Sequence, residues 1–275
     1  MSDADRNYSY LVKTFDAPQV GVHGFVEAMS RLALPTWRAL AAAGQLEAVH
    51  VLRKVGDIDL QTSALPVRDW AYVAILELAE RASPDAVLAA EAAAGLDVAS
   101  LSRNGIEYLS NEALVRPERA GTAIPLPSPH WPTPPAAQQA AVEYIQIPDR
   151  HWNEYRLFMK EVMGPVGARL VRLGASYQIQ IMERVRVLHR DPSLPAWNRI
   201  HVLWGDFNDS ANGFIARTNE AVRAVLGPEH DVMSALNAAN GYRVKPRMSR
   251  NVLIGELSIL RAPGDATSGL AADQR

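Results

Sequence analysis

Apolar and polar positions alternate along this chain in two rhythms, and their order predicts its elements. A period of two marks strands over Tyr8–Phe15, Leu46–Val55, Trp70–Leu78 and Ile106–Val115, then over Val142–Ile147, Tyr177–Leu188, Trp197–Trp204 and Asn251–Leu260. Helical spacing covers Phe25–Ala43, Pro84–Ala94, His151–Leu173 and Asn212–Leu226. In the first of these, Phe25, Met29, Leu32, Trp37 and Leu40 form one stripe, which reads as core-facing. Gly44 stops that helix, while Ser83 as N-cap, Pro84 in the first turn and Gly95 as stop bracket the next. Pro35 and Pro165 fall inside the two long helices and predict a kink or break in each.

The chain also repeats itself. Phe25–Val55 aligns without a gap on Tyr155–Val185 at an offset of 130, placing Met29 on Met159, Pro35 on Pro165, Leu40 on Leu170, Gly44 on Gly174 and Val55 on Val185. The stretch from Asp69 (DWAYVAILELA) matches that from Ala196 (AWNRIHVLWGD), pairing Trp70 with Trp197. Leu101-Ser102-Arg103-Asn104 matches Met248-Ser249-Arg250-Asn251, so both halves are expected to carry a Ser-Arg-Asn motif holding the start of the last strand. Three matches in the same order predict a duplication. Each half then reads strand, helix, strand, strand, helix, strand, the split βαβ or ferredoxin-like topology. The second half adds an insertion, Gly227–Arg243, with a short helix expected over Val232–Ala239. Between the halves, the seven prolines of Pro117–Pro135 predict an extended linker. The expected organisation is a first unit at 1–116, a Pro-rich linker at 117–141, a second unit at 142–262 and a disordered Gly/Ala/Asp-rich tail at 263–275.

The helices of such a unit cover one face of its sheet, and the other face must be buried too. Around Tyr177–Val185, Ile179, Ile181 and Val185 suit the helices, with Gln178, Gln180 and Met182 opposite. Around Leu46–Val55, Val49, Val51 and Val55 match the helix-facing set, with Ala48, His50 and Leu52 opposite. The following strands add Trp70, Tyr72, Ala74 and Leu76 in one half, and Trp197, Arg199, His201 and Leu203 in the other, to the second set. This mixture of aromatic and polar groups predicts a partly wet cavity between two sheets.

Composition narrows the chemistry. The 275 residues are 48% hydrophobic and 21% charged, as in an ordinary soluble protein, and the net charge of -2 carries no footprint for nucleic acid or an anionic membrane. Without cysteine there is no disulfide, thiolate catalysis or Cys-ligated metal. No apolar run reaches membrane-spanning length and the polar start lacks the features of a signal peptide, so a cytoplasmic location is expected. The sequence has no Walker loop, no GxGxxG after a strand, no HExxH and no GxSxG, and its seven histidines lack metal-ligand spacing.

The element order, the duplication and the strand patterning together resemble the dimeric α/β-barrel superfamily, in which two ferredoxin-like units pair sheet to sheet. The fold expected is therefore α+β, a tandem pseudo-dimer of that kind. The resemblance covers nearly the whole chain outside linker and tail. It implies a menu of reactions: muconolactone isomerases, cofactor-free monooxygenases, polyketide cyclases, and haem enzymes such as chlorite dismutases and dye-decolorising peroxidases. No GxxDG stretch of the last type is present.

Within the expected cavity, His50 and His201 are the candidate general bases, because an imidazole titrates near neutrality. Tyr72 joins them as a catalytic candidate and, with Gln178 and Gln180, would orient substrate oxygens. Arg199 would hold an anionic substrate group, for which a protein carboxylate is the structural alternative. Trp70 and Trp197 would pack the core or wall an aromatic substrate, and His23 and His151 would sit at the mouth. The function expected is cofactor-independent acid–base chemistry on a small aromatic or polyketide-like molecule, of the lyase, decarboxylase, isomerase or cyclase type, with no metal or cofactor. The alternatives are cofactor-free oxygenation of a phenol, haem binding, or a non-catalytic carrier of small molecules. Exposed sheet edges leave room for a homodimer.

Overall fold

The computed structural model describes residues 9–57, 70–109, 113–117, 139–173, 178–188, 194, 196–205 and 213–259. In the first half β1 (Ser9–Asp16), α1 (Gly21–Leu32), α2 (Leu34–Ala42), β2 (Leu46–Asp57) and β3 (Tyr72–Leu78) are followed by α3 (Pro84–Ala93), α4 (Val98–Arg103), a two-residue β4 (Glu107–Tyr108) and β5 (Ala113–Pro117). The second half has β6 (Gln139–Gln146), α5 (Trp152–Phe158), α6 (Gly164–Arg172), β7 (Gln178–Val187), β8 (Arg199–Trp204), α7 (Phe214–Leu226), α8 (Val232–Asn240) and β9 (Val244–Leu253).

The duplication is visible in the strand order. The first half runs β5-β1-β3-β2, with β4 on the end of β1, and the second runs β9-β6-β8-β7. The two sheets join edge to edge, β2 along β9 and β5 along β7, all antiparallel. Each of the eight longer strands therefore has two neighbours and the sheet closes into a barrel, which removes the free edges that an open sheet would expose.

Both prolines break their helices, in different ways. Pro35 has no N–H to donate, and the first long helix splits at Ala33 into α1 and α2. Pro165 sits in the first turn of α6, and the turn before it, Met159–Met163, widens to a π-helix. Ser83 caps α3 as expected, its Oγ accepting from the N–H of Ala86 at 3.4 Å.

Some boundaries differ from expectation. Gln139–Ala141, assigned to the linker, begin β6 instead, pairing with Trp204 on one side and Val252 on the other. Residues 118–138 of the linker and 260–275 of the tail lie outside the described residues. The final strand is Val244–Leu253, not Asn251–Leu260. The Ser-Arg-Asn match is not a structural equivalence. Ser102-Arg103-Asn104 closes α4, whereas Ser249-Arg250-Asn251 lies within β9, where Asn251 Nδ2 donates to Ser249 Oγ at 3.0 Å.

Two faces of the barrel are buried. Inside it, Tyr10, Leu52, Trp70, Tyr144, Trp197 and Trp204 belong to one apolar cluster, with the Trp70 and Tyr144 rings 4.6 Å apart and Tyr144 5.4 Å from Trp197. Outside, one cluster packs the first half's helices on its strands and another packs the second half's. The expected faces hold on β2 and β7, where Val49, Val51, Ile179 and Ile181 look outward to the helices and Leu52 and Met182 look in. Val55 and Val185 lie beyond the helix cover and are exposed. On β3 and β8 the faces are the reverse of those expected. Cross-strand partners share a face, so outward Val51 carries Ala74 outward and outward Ile181 carries His201 outward. Tyr72, Ala74, Leu76, Arg199, His201 and Leu203 thus face the helices rather than the barrel interior. Trp70 and Trp197 precede their strands, escape that phase and enter the barrel.

Candidate active site

The register of β6 and β8 sets Glu143 directly across from His201, both outward. His201 Nδ1 lies 2.9 Å from Glu143 Oε2. A carboxylate only accepts, so the imidazole donates from Nδ1 and keeps Nε2 as the acceptor. The hydroxyl of Tyr155, on α5, lies 3.3 Å from that Nε2. On the far side of Glu143, Arg243 Nη2 stands 3.5 Å from Oε1. Tyr155, His201, Glu143 and Arg243 form a polar chain whose members are all 6% exposed or less.

His201, Glu143 and Arg243 close one end of a cavity of about 110 Å³ between the second half's sheet and its helices. The rest of its lining is mainly apolar: Met159 and Met163 from the π-turn, Val166 and Leu170 from α6, and residues of α7 and α8. Met159 and Met163, four residues apart at the two ends of the widened turn before Pro165, both reach this wall. Buried polar groups gathered at one end of an apolar hollow orient a small molecule while excluding water.

The same place in the first half is filled. Lys13 and Phe25 occupy the repeat positions of Glu143 and Tyr155, and Ala74 that of His201. Phe25 stacks on Tyr72 at 3.6 Å and 8°. Lys13 Nζ binds Glu91 at 2.7 Å, and Glu91 also accepts from Trp37 Nε1 at 2.8 Å.

The sequence-derived candidates therefore separate. His201 is at the cavity. His50 is inside the barrel, its ring 5.5 Å from that of Trp204, and burial pushes its pKa down to about 3. Gln180 is also buried, at the repeat position of His50. Trp70 and Trp197 belong to the barrel core and wall no part of the cavity. Tyr72 lies in the first half's helix-facing core, where burial first, and Asp16 next in the same direction, raise its pKa against the opposing pull of Arg53. Arg199 shares the face of His201 but meets protein groups: Glu183 at 3.3 Å, the carbonyl of Asn198 at 2.8 Å and the face of Trp152 at 3.8 Å. His23 is exposed on α1. His151 accepts from Arg150 Nε at 3.1 Å and faces the ring of Tyr242. The side chain of Gln178, at the start of β7, lies outside the described ones.

Sequence reading missed Glu143, Tyr155 and Arg243. A charge amid the apolar alternation of Val142–Ile147 was a signal for the first, and a hydroxyl where the repeat has Phe25 was one for the second. Arg243 closes the insertion and has no repeat partner to draw notice.

No protein-family model matches the chain, and no curated protein matches it. Solved structures do resemble it. An anthrone oxidase-like protein is 14% identical with a TM-score of 0.50, over 100% of this chain and 99% of that one. A dye-decolorizing protein from V. cholerae is 10% identical with a TM-score of 0.51, covering 92% and 96%. A mutant chlorite dismutase from Candidatus Nitrospira defluvii is 9% identical with a TM-score of 0.50, covering 92% of each chain.

Proposed function

Given a chain that carries the tandem dimeric α/β-barrel fold, we propose that it oxidises a small electron-rich phenol with dioxygen, in the cavity of its second half and without haem. The observation that carries this reading is His201, oriented by Glu143 at the buried polar end of an otherwise apolar hollow. Nε2 of His201 takes the phenolic proton, and the resulting anion is electron-rich enough to reduce dioxygen. An apolar wall admits dioxygen and leaves the anion unsolvated and reactive. The phenol loses one O–H and one ring C–H hydrogen and gains one oxygen atom to become a quinone. Dioxygen is the oxidant, and its second oxygen leaves as water with the two hydrogens. His201, protonated in the first step, returns its proton to the departing oxygen.

The lyase or isomerase expectation uses the same proton transfer without an oxidant. The neighbour named as anthrone oxidase-like favours the oxidative form. Haem, carried by enzymes of this fold family, does not fit the residues present. The cavity, about 110 Å³, is too small for a porphyrin. The helix wall of the cavity offers thioethers and hydrocarbon, with no imidazole among its described lining residues.

The test is dioxygen uptake with mono- and bicyclic phenols, 1-naphthol among them. Wild type is expected to exceed the uncatalysed rate, and His201→Gln to lower turnover by ~10²–10⁴ with its circular dichroism unchanged. Undiminished uptake in H201Q removes the mechanism, and equal turnover under nitrogen restores the lyase reading.

A further inference from the structure

Arg243 is buried, lines the cavity, and is held by less than a guanidinium usually demands. Its five N–H donors have one partner among the described residues, Glu143, at a long 3.5 Å, and its Nε is buried without any hydrogen-bond acceptor. An unmet N–H in an apolar surrounding is costly, and an anionic oxygen is the group that satisfies a guanidinium best. Arg199, by contrast, already has a carboxylate, a carbonyl and an aromatic face around it.

We infer that Arg243 is the substrate-anion site of this cavity, and that the ligand is a flat aromatic molecule bearing a carboxylate or phenolate oxygen. The arginine ends the insertion found only in the second half, whose helix α8 supplies Val232, Ala235 and Leu236 to the wall. One inserted segment therefore brings both the apolar wall for the ring and the cation for its anion, which explains why the second half alone has this arrangement. The charged and titratable groups around the site are Glu143 from β6, His201 from β8, Tyr155 from α5 and Arg243 itself. The lining residues of α6, α7 and α8 are all uncharged. An anion at Arg243 shares the guanidinium with Glu143 and takes up the donors that Glu143 leaves unmet.

The inference rests on the cavity being the substrate site and uses binding, not turnover, as its readout. 2-Naphthoate and its neutral counterpart 2-naphthamide are titrated at neutral pH by quenching of tryptophan fluorescence. Wild type is expected to bind the anion about tenfold or more tightly than the amide. Arg243→Gln abolishes that preference while keeping amide affinity, and Arg243→Lys retains part of it. Equal binding of the two probes by wild type, binding of neither, or an undiminished preference in R243Q overturns the proposal. The wild-type comparison and R243K decide it even if R243Q does not fold. H201Q separates this inference from the oxidative reading: it is expected to keep the naphthoate preference whether or not dioxygen uptake depends on His201.

Discussion

Two histidines that looked alike as candidates differ in what surrounds them. His201 has a carboxylate across the strand pair and a hydroxyl on its other nitrogen, so its ring is oriented and its proton has somewhere to go. His50 has the apolar interior of the barrel, and its pKa near 3 keeps it neutral at any physiological pH. That neutrality has a thermodynamic consequence. In the unfolded chain an imidazole titrates near 6.5, so below that pH the unfolded state binds a proton that the folded state refuses. The stability associated with neutral His50 is present above about pH 6.5 and is lost progressively as pH falls toward 3, by at most about 5 kcal/mol. Urea melts between those limits are expected to show a shallower decline for His50→Gln than for wild type. Identical pH slopes would mean that His50 is not the group responsible.

Among the elements, the segment from α5 through the π-turn to α6 shapes the cavity wall. Pro165 prevents a regular helix from running through, and Met159 and Met163 line the cavity from the two ends of the wider turn. Pro165→Ala permits a continuous helix and shifts the methionines by part of a turn. The expected result is a melting temperature unchanged or raised, because a helix breaker is gone, with turnover lowered about tenfold or more because the wall no longer matches the substrate. Calorimetry beside dioxygen uptake would check both, and a variant with normal turnover would show that the π-turn is packing only.

Across the whole molecule, the halves are joined by backbone pairing along two seams, β2 with β9 and β5 with β7, and share one aromatic core. Either half alone would expose two strand edges and the inner face of its sheet. Produced separately, residues 1–117 and 118–275 are expected to aggregate, and produced together to form a soluble one-to-one complex by size-exclusion chromatography. Stable soluble monomers of either half would contradict this dependence.

Much of this architecture was legible in the order of residues. Strand and helix rhythms, the proline breaks, the helix of the insertion and the duplication are local or repetitive signals, and each has its counterpart in the folded chain. His201 could be singled out as a polar group on a buried strand. Periodicity says which residues share a face, however, and not which side that face takes when both sides are buried. Pairing of His201 with Ile181 turned β8 toward the helices, and pairing of Ala74 with Val51 did the same for β3, which moved the expected site from the barrel interior to its outside. Glu143 and Arg243 join His201 from 58 and 42 residues away along the chain. Closing loops of that length is governed by the sheet's hydrogen-bond register, a property that exists only once the strands have paired.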